Sequence, residues 1–267
     1  MQTLVRAMKG QGQDGRALPG AFSGLEAVGA RLRYGQVALI VAAPGGAKSA
    51  VGLVWALRSG AKTLYFSADT DRFEIGKRLG AHFTRRTQDE VEAGLTGPES
   101  DKWYALIDSN TRNLWFSWEP APSLDDIEDE VKAYAAVRGE WPELIVIDNL
   151  KNVWDDGGSA GDSDWVRYDR VVAALKELAQ EIGAAVLILH HATGQYEDGY
   201  TPIPLNGILG KCAKDVRLAL TLHRGPVGSN ETRICVVKNN GNKADPGGGL
   251  IVPVPFWPER MYFGDLL

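Results

Sequence analysis

The residues Ala42-Ala43-Pro44-Gly45-Gly46-Ala47-Lys48-Ser49 place a run of small side chains ahead of a lysine and a hydroxyl. Small residues let successive backbone N–H groups curl around phosphate oxygens, and a helix opening after them adds the positive end of its dipole. Lys48 is then placed to reach the β- and γ-phosphates of a nucleotide, and Ser49 to hold Mg2+ through its hydroxyl. The span fits the frame GxxxxGK[ST] with alanine at both frame glycines, Ala42 and Ala47. A Cβ at Ala47 bears on the backbone where the frame uses glycine. The competing reading, a strand-to-helix turn with an incidental surface lysine, does not explain why strand, loop, Lys-Ser and apolar helix fall in register. A second chemical position is Asp148, which ends the apolar run Leu144-Ile-Val-Ile and could hold Mg2+ through water. An aspartate that merely caps a turn after a strand is the alternative there.

The elements needed to position these groups are legible. Val37–Ala43 is an uninterrupted apolar run, suited to a parallel strand covered on both faces. Ala50–Leu57 reads as an apolar helix ended by Gly60, and Thr63–Ser67 as the next strand, which completes a βαβ crossover. Phe73–Thr84 and Ser100–Ser109 read as helices, and Asn113–Ser117 as a strand. Ser123 is an N-cap followed by acids, and its helix runs through Ala136. Leu144–Asp148 is a strand, Asp164–Ile182 a long amphipathic helix, and Ala185–Leu189 another strand. Val216–His223, Thr232–Lys238 and Leu250–Pro253 alternate in polarity between Gly/Asn/Pro turns, which predicts antiparallel strands. The economical reading is a loose arm over residues 1–17 and one α/β domain over 18–267, mostly parallel with a β-rich antiparallel end.

Composition sets outer bounds. Twenty-nine basic and 34 acidic residues give a formal charge of −5 over 267 residues, which excludes a wholly basic nucleic-acid binder but permits a local basic groove. Cys212 and Cys235 are the only cysteines and form no CxxC pair, so a disulfide framework or zinc module is not expected. No apolar run approaches the roughly 20 residues of a membrane span, and the start carries no leader pattern. A cytoplasmic protein is the expectation.

Leu18–Leu25, the run ending in Ala42–Ser49, Phe66-Ser-Ala-Asp69, Leu144–Leu150 and Leu175–Ile182 resemble, in order and spacing, the RecA-like ATPase domain of DnaB-type hexameric helicases. Val186–Gly194 with its His190-His191 pair is similar to the RepA-type branch of that superfamily. Val236–Gly241 resembles the late element that reaches a neighbouring subunit's nucleotide. The likeness spans roughly residues 18–255 and is that of a single-domain, phage- or plasmid-like form.

The resemblance implies roles. A glutamate that polarises the attacking water in the family corresponds here to Asp69, one methylene shorter, with Asp71 nearby. His191 matches the γ-phosphate sensor; a metal pair with His190 is disfavoured because neighbours on a strand point to opposite faces. The family's Lys-x-Arg, whose arginine acts as a finger on the neighbour, reads Lys238-Asn239-Asn240, so Lys238 and Lys243 remain as cations of the trans element. Beyond Lys48 the sequence offers no obvious cation in cis, which implies a site shared between subunits of a ring.

For single-stranded DNA the candidates are the loop Gly157–Asp164 and the segment Gln195–Lys214. Lys211, Lys214 and Arg217 form one basic edge if that stretch is helical, with Tyr196 and Tyr200 available for stacking. The resemblance implies an ATP- and Mg2+-dependent motor, a homo-oligomeric ring (a hexamer) on single-stranded DNA, and a primase or loader as partner. The competing class is a RecA-like ATP-binding switch or recombination mediator with incidental hydrolysis, which Asp69 and Asn240 favour. A small-molecule kinase is disfavoured because no basic lid segment follows the core.

Overall fold

A computed structural model describes residues 15–155, 157 and 163–264. In chain order the elements are α1 (Ser23–Ala27), β1 (Val37–Ala42), α2 (Lys48–Ser59), β2 (Thr63–Ser67), α3 (Arg72–Thr84), α4 (Gln88–Thr96) and α5 (Ser100–Asn110). There follow β3 (Leu114–Ser117), α6 (Leu124–Arg138), β4 (Leu144–Asp148), α7 (Asp164–Ile182) and β5 (Ala185–His191). The chain then runs through β6 (Leu218–Arg224), β7 (Glu231–Asn239), β8 (Ile251–Trp257) and β9 (Tyr262–Phe263).

These strands form one sheet in the order β3-β2-β4-β5-β1-β6-β7-β8-β9. The pairs from β3 through β6 are parallel, and those from β6 through β9 antiparallel. The expected mixed α/β architecture is thus the one observed. Strands β1, β2 and β4 are buried along their whole length, which is why their sequences run apolar without alternation. Side chains of alternate parity enter two cores: Ala38, Ile40 and Ala42 pack with α2, while Val37, Leu39 and Val41 pack with α6 and α7.

Local chemistry explains most element ends. Ser123 accepts from the Asp126 N–H while Asp126 reaches back to the Ser123 N–H, a capping box that starts α6. Thr87 and Glu90 do the same for α4, a helix not anticipated in the sequence. Gly60, Gly139 and Gly183 close α2, α6 and α7 in left-handed conformations.

Two boundaries shift. Residues 1–14 of the expected arm lie outside the described residues. Gly15 and Leu18 donate to Tyr34 and Leu32, so the end of that arm is paired to the domain. Between β5 and β6, Leu209–Lys214 is a 3-10 helix. Among the described residues no helix is long and apolar enough to cross a membrane.

Candidate nucleotide site

The sheet order brings four strand ends together: β2, β4, β5 and β1 are consecutive neighbours. Each carries one of the singled-out groups at or just past its C-terminal end. The phosphate-loop residues Ala43–Ala47 follow β1, Asp69 follows β2, Asp148 ends β4 and His191 ends β5. Ligands of open α/β sheets bind at this end of the strands.

The loop is tightly wound. Gly46 N–H donates to Ala43 O at 2.9 Å, and a Cβ on Gly46 would lie 2.8 Å from the Ala42 Cβ. Gly45 has φ +68° and Ala47 φ +67°, ψ 14°. The frame position that glycine would hold is therefore left-handed even with a Cβ on it. Lys48 is the first residue of α2 and forms no hydrogen bond or ion pair with the described residues. Pro44 and Gly45 are exposed.

Asp148 is 1% exposed and accepts from the Tyr65 hydroxyl at 2.9 Å through Oδ2, whereas its Oδ1 is buried without a hydrogen-bond partner. Burial pushes this carboxyl up, against the opposing pull of Ser49, Lys48 and Tyr65. An orphaned buried carboxylate oxygen beside a serine hydroxyl and the phosphate-loop lysine is a donor set that fits Mg2+. Ser49 and Asp148 would hold the ion, and it would supply positive charge to the phosphates.

Asp69 is exposed and accepts from Asn149 Nδ2, and Asn149 is in turn braced through its Oδ1 by the Lys151 N–H at 2.9 Å. Asp71, the other strand-end acid, accepts from the Phe73 and Glu74 N–H groups at 2.9 Å as the N-cap of α3. Its carboxylate is committed to the helix, which leaves Asp69 as the acid facing the site.

His190 and His191 face apart. His190 is fully buried, packs edge-on to Tyr168 with centroids 4.8 Å apart, and bonds through Nε2 to Leu209 O at 3.0 Å. Burial pushes it down to about 3, so it is neutral and its Nε2–H donates to that carbonyl. His191 is half-buried; burial and the Lys48 ammonium lower it, and Asp69 acts in the opposite sense.

Besides Lys48, the structure sets a second cation of the same chain, Arg224, beside the loop. It ends β6, the neighbour of β1, and its guanidinium lies 3.6 Å from where a Cβ on Gly45 would sit. The same group lies over the Tyr200 ring, 5.5 Å from its centroid. A pocket of about 410 Å3 between the loop and β6 to β8 is lined by Gly45, Ala47, Tyr200, Arg224, Thr232 and Phe256. No local motif marks Arg224; only its place at the end of a strand next to β1 could have revealed it.

The residues expected to act on a neighbouring subunit lie elsewhere. Lys238 pairs in register with Ala219, near the N-terminal end of β6 and away from the chain's own phosphate loop. Its Nζ donates to Ala213 O and Lys214 O at 2.8 and 2.9 Å, closing the 3-10 helix. Burial lowers it. Lys243 is exposed in the following turn.

The basic edge expected over Lys211, Lys214 and Arg217 does not form as one helical face. The helix stops at Lys214, Arg217 lies past its end, and Lys214 is paired with Asp169 at 2.8 Å. Nothing is described of the Lys211 side chain. Tyr200 stands at the phosphate loop beside Arg224, away from Tyr196, which lines a groove with Lys214 and Lys238. Most of the Gly157–Asp164 loop, residues 158–162, lies outside the described residues.

Known proteins share this architecture. A solved structure described as an ATPase domain superimposes with a TM-score of 0.78 at 17% identity over 99% of this chain and 96% of that one. A DnaB-like replicative helicase, solved in a study of its interactions with primase, gives 0.78 at 19% identity over 100% of this chain and 68% of that one. In sequence, the chain is 36% identical to the Gene 65 protein of Mycobacterium phage L5 over 99% of both chains. The Gene 65 protein of Mycobacterium phage D29 is also 36% identical, over 85% of this chain and 98% of that one. A family model described as an AAA domain matches residues 25–195, the stretch that carries the phosphate loop, Asp69, Asp148 and His191. With that match and those relatives, the chain belongs to the AAA domain family, built on the fold of DnaB-like helicase ATPase domains.

Proposed function

We propose that this protein is a motor ATPase of the ring-forming replicative helicase type, hydrolysing Mg-ATP at subunit interfaces and coupling hydrolysis to single-stranded DNA. One observation carries the reading: Lys48, Ser49, Asp148, Asp69 and His191 stand at the C-terminal ends of four consecutive neighbouring strands. Lys48 and the loop N–H groups bind the phosphates, Ser49 and Asp148 hold the cation, Asp69 orients the attacking water, and His191 senses the γ-phosphate. Arg224 adds a positive contact from the same chain beside the loop.

The 17% and 19% likenesses support the ring only through the fold. A hexameric homo-oligomer, a primase or loader partner and a cytoplasmic setting belong to the proposal. Steady-state ATP hydrolysis with and without single-stranded DNA tests it, and stimulation by DNA is the expected result. DNA-independent or absent hydrolysis with intact ATP binding would favour the second reading, a nucleotide-controlled switch. Two residues favour that alternative: the short Asp69 and the asparagine at position 240.

A further inference from the structure

Tyr65 stands in the middle of β2 and is fully buried, so its hydroxyl is a polar group placed where a phenylalanine would fill almost the same space. The two other hydroxyls of that strand turn back on local backbone: Thr63 donates to Ala61 O at 2.9 Å and Ser67 to Thr70 O at 2.8 Å. Tyr65 instead crosses to β4 and donates to Asp148 Oδ2 at 2.9 Å. The register of the strands explains this reach. Tyr65 lies opposite Val146 and Ser67 opposite Asp148, so phenol and carboxylate share the face of the sheet that packs with α2, the helix opened by Lys48 and Ser49. The ring is set in turn by Phe116, its partner on β3, with centroids 5.4 Å apart.

We propose that Tyr65 is a positioning residue for the divalent cation: its hydroxyl ties back one oxygen of Asp148 and so leaves the other as the oxygen that holds the ion. The assignment rests on the reading of Ser49 and Asp148 as the metal holders and names the group that orients the second of them. A carboxylate turns easily about its last side-chain bond, because that torsion is broad. The strand neighbours of Asp148 do not stop it. Ser67 is committed to Thr70 O, and the side chain of Leu189, opposite on β5, has no hydrogen bond to offer. The phenol does stop it: with Oδ2 held at Tyr65, Oδ1 is the buried oxygen without a hydrogen-bond partner. A charge-assisted bond from a rigid, packed ring fixes the plane of the carboxylate as well as its direction.

The test uses the full chain with Tyr65→Phe and Phe116→Leu, each checked for folding by thermal melting. Binding of a fluorescent ADP analogue is measured with a chelator present and then across a Mg2+ titration, so no turnover enters the readout. Tyr65→Phe is expected to raise the Mg2+ concentration at the midpoint by roughly 10-fold, the lower end for losing a partner behind a metal ligand. Its binding of the analogue in chelator should match the parent. Phe116→Leu keeps the hydroxyl but loosens the ring, and should move the midpoint less in the same direction. A merely structural hydroxyl would lower the melting temperature of Tyr65→Phe and leave the midpoint where it was. An unchanged or lowered midpoint, or an equal loss of binding with and without Mg2+, would overturn the assignment and leave Ser49 and Asp148 as metal holders. If Tyr65→Phe does not fold, Phe116→Leu decides: a raised midpoint supports the assignment and an unmoved one overturns it. A parent chain whose binding ignores Mg2+ would instead overturn the metal reading of Ser49 and Asp148, and the assignment with it.

Discussion

Asn149 donates through Nδ2 to the Asp69 carboxylate, tying the acid past β2 to the residue that follows the buried Asp148 on β4. This contact orients a short side chain that would otherwise swing in solvent. Asp69→Asn is expected to bind Mg-ATP normally and lose at least roughly 10²-fold in turnover, the usual contribution of a positioned base. Asp69→Glu should raise turnover by restoring reach. Asn149→Ala should lower kcat more than it changes ATP affinity. Normal turnover in Asp69→Asn would remove Asp69 from the mechanism. Asp71→Asn would keep the α3 cap through its own side-chain oxygen and should leave hydrolysis intact.

Lys48 stands at the first turn of α2 and forms no hydrogen bond or ion pair with the described residues. Its removal breaks no hydrogen bond among the described residues but takes a compensating charge from the buried Asp148. Lys48→Ala should melt within about 1 kcal/mol of the parent, and bind no Mg-ATP. Isothermal titration beside a thermal melt decides it, and retained ATP affinity would sink the phosphate-loop assignment.

What was legible in the sequence was whatever is written locally. Val37–Ala42 and Leu144–Asp148 announce buried parallel strands because both faces are covered, and Ser123 announces its helix because the cap is a side-chain chemistry. Arg224 was not legible as a residue beside the phosphate loop. It owes its place to the C-terminal end of β6 lying beside β1, and no local pattern states that neighbour relation. The 3-10 helix at Leu209–Lys214 was missed for a related reason: it is held by His190 and Lys238, both remote in sequence.

Ala47 holds a left-handed backbone at φ +67°. That conformation costs a residue with a Cβ about 1–2 kcal/mol, and glycine escapes it while gaining some unfolded-state entropy. Ala47→Gly should therefore raise stability by about 0.5 kcal/mol and tighten ATP binding slightly, as the loop N–H groups settle around phosphate. A lower melting temperature in Ala47→Gly would mean that the Cβ packs favourably enough to outweigh its strain.

All four histidines are held below their ordinary value, with burial the largest cause in each: His82, His190, His191 and His223. A depressed folded-state value means that the unfolded chain takes the proton first. The stability from keeping these rings neutral is complete above about pH 6.5 and is lost as pH falls. His190, pushed down to about 3, should alone account for about 2 kcal/mol lost by pH 5. The raised Asp148 works in the opposite sense. Urea unfolding at pH 7.5 and pH 5 should show the drop, and His190→Gln, which can still donate to Leu209, should shrink it. An unchanged pH dependence in that variant would place the titrating group elsewhere.

Arg224 offers the sharpest test of how the chain holds its nucleotide. The guanidinium lies beside Gly45 and over Tyr200, and the Arg224 N–H donates to Gly199 O at 2.7 Å, so loop, ring and cation are held together by backbone as well as by stacking. A charge-assisted hydrogen bond to phosphate contributes about 1.5–3 kcal/mol, so Arg224→Ala should weaken ATP and ADP binding by roughly 10- to 100-fold. Arg224→Lys should recover only part of that, because the fork and its stacking on Tyr200 are lost. The phosphate contact also predicts that the penalty shrinks as salt rises. Tyr200→Ala should give a smaller loss in the same direction, since it removes the platform and leaves the charge. Arg224→Ala with parental affinity for both nucleotides would show that the guanidinium makes no phosphate contact, and would return the binding charge to Lys48.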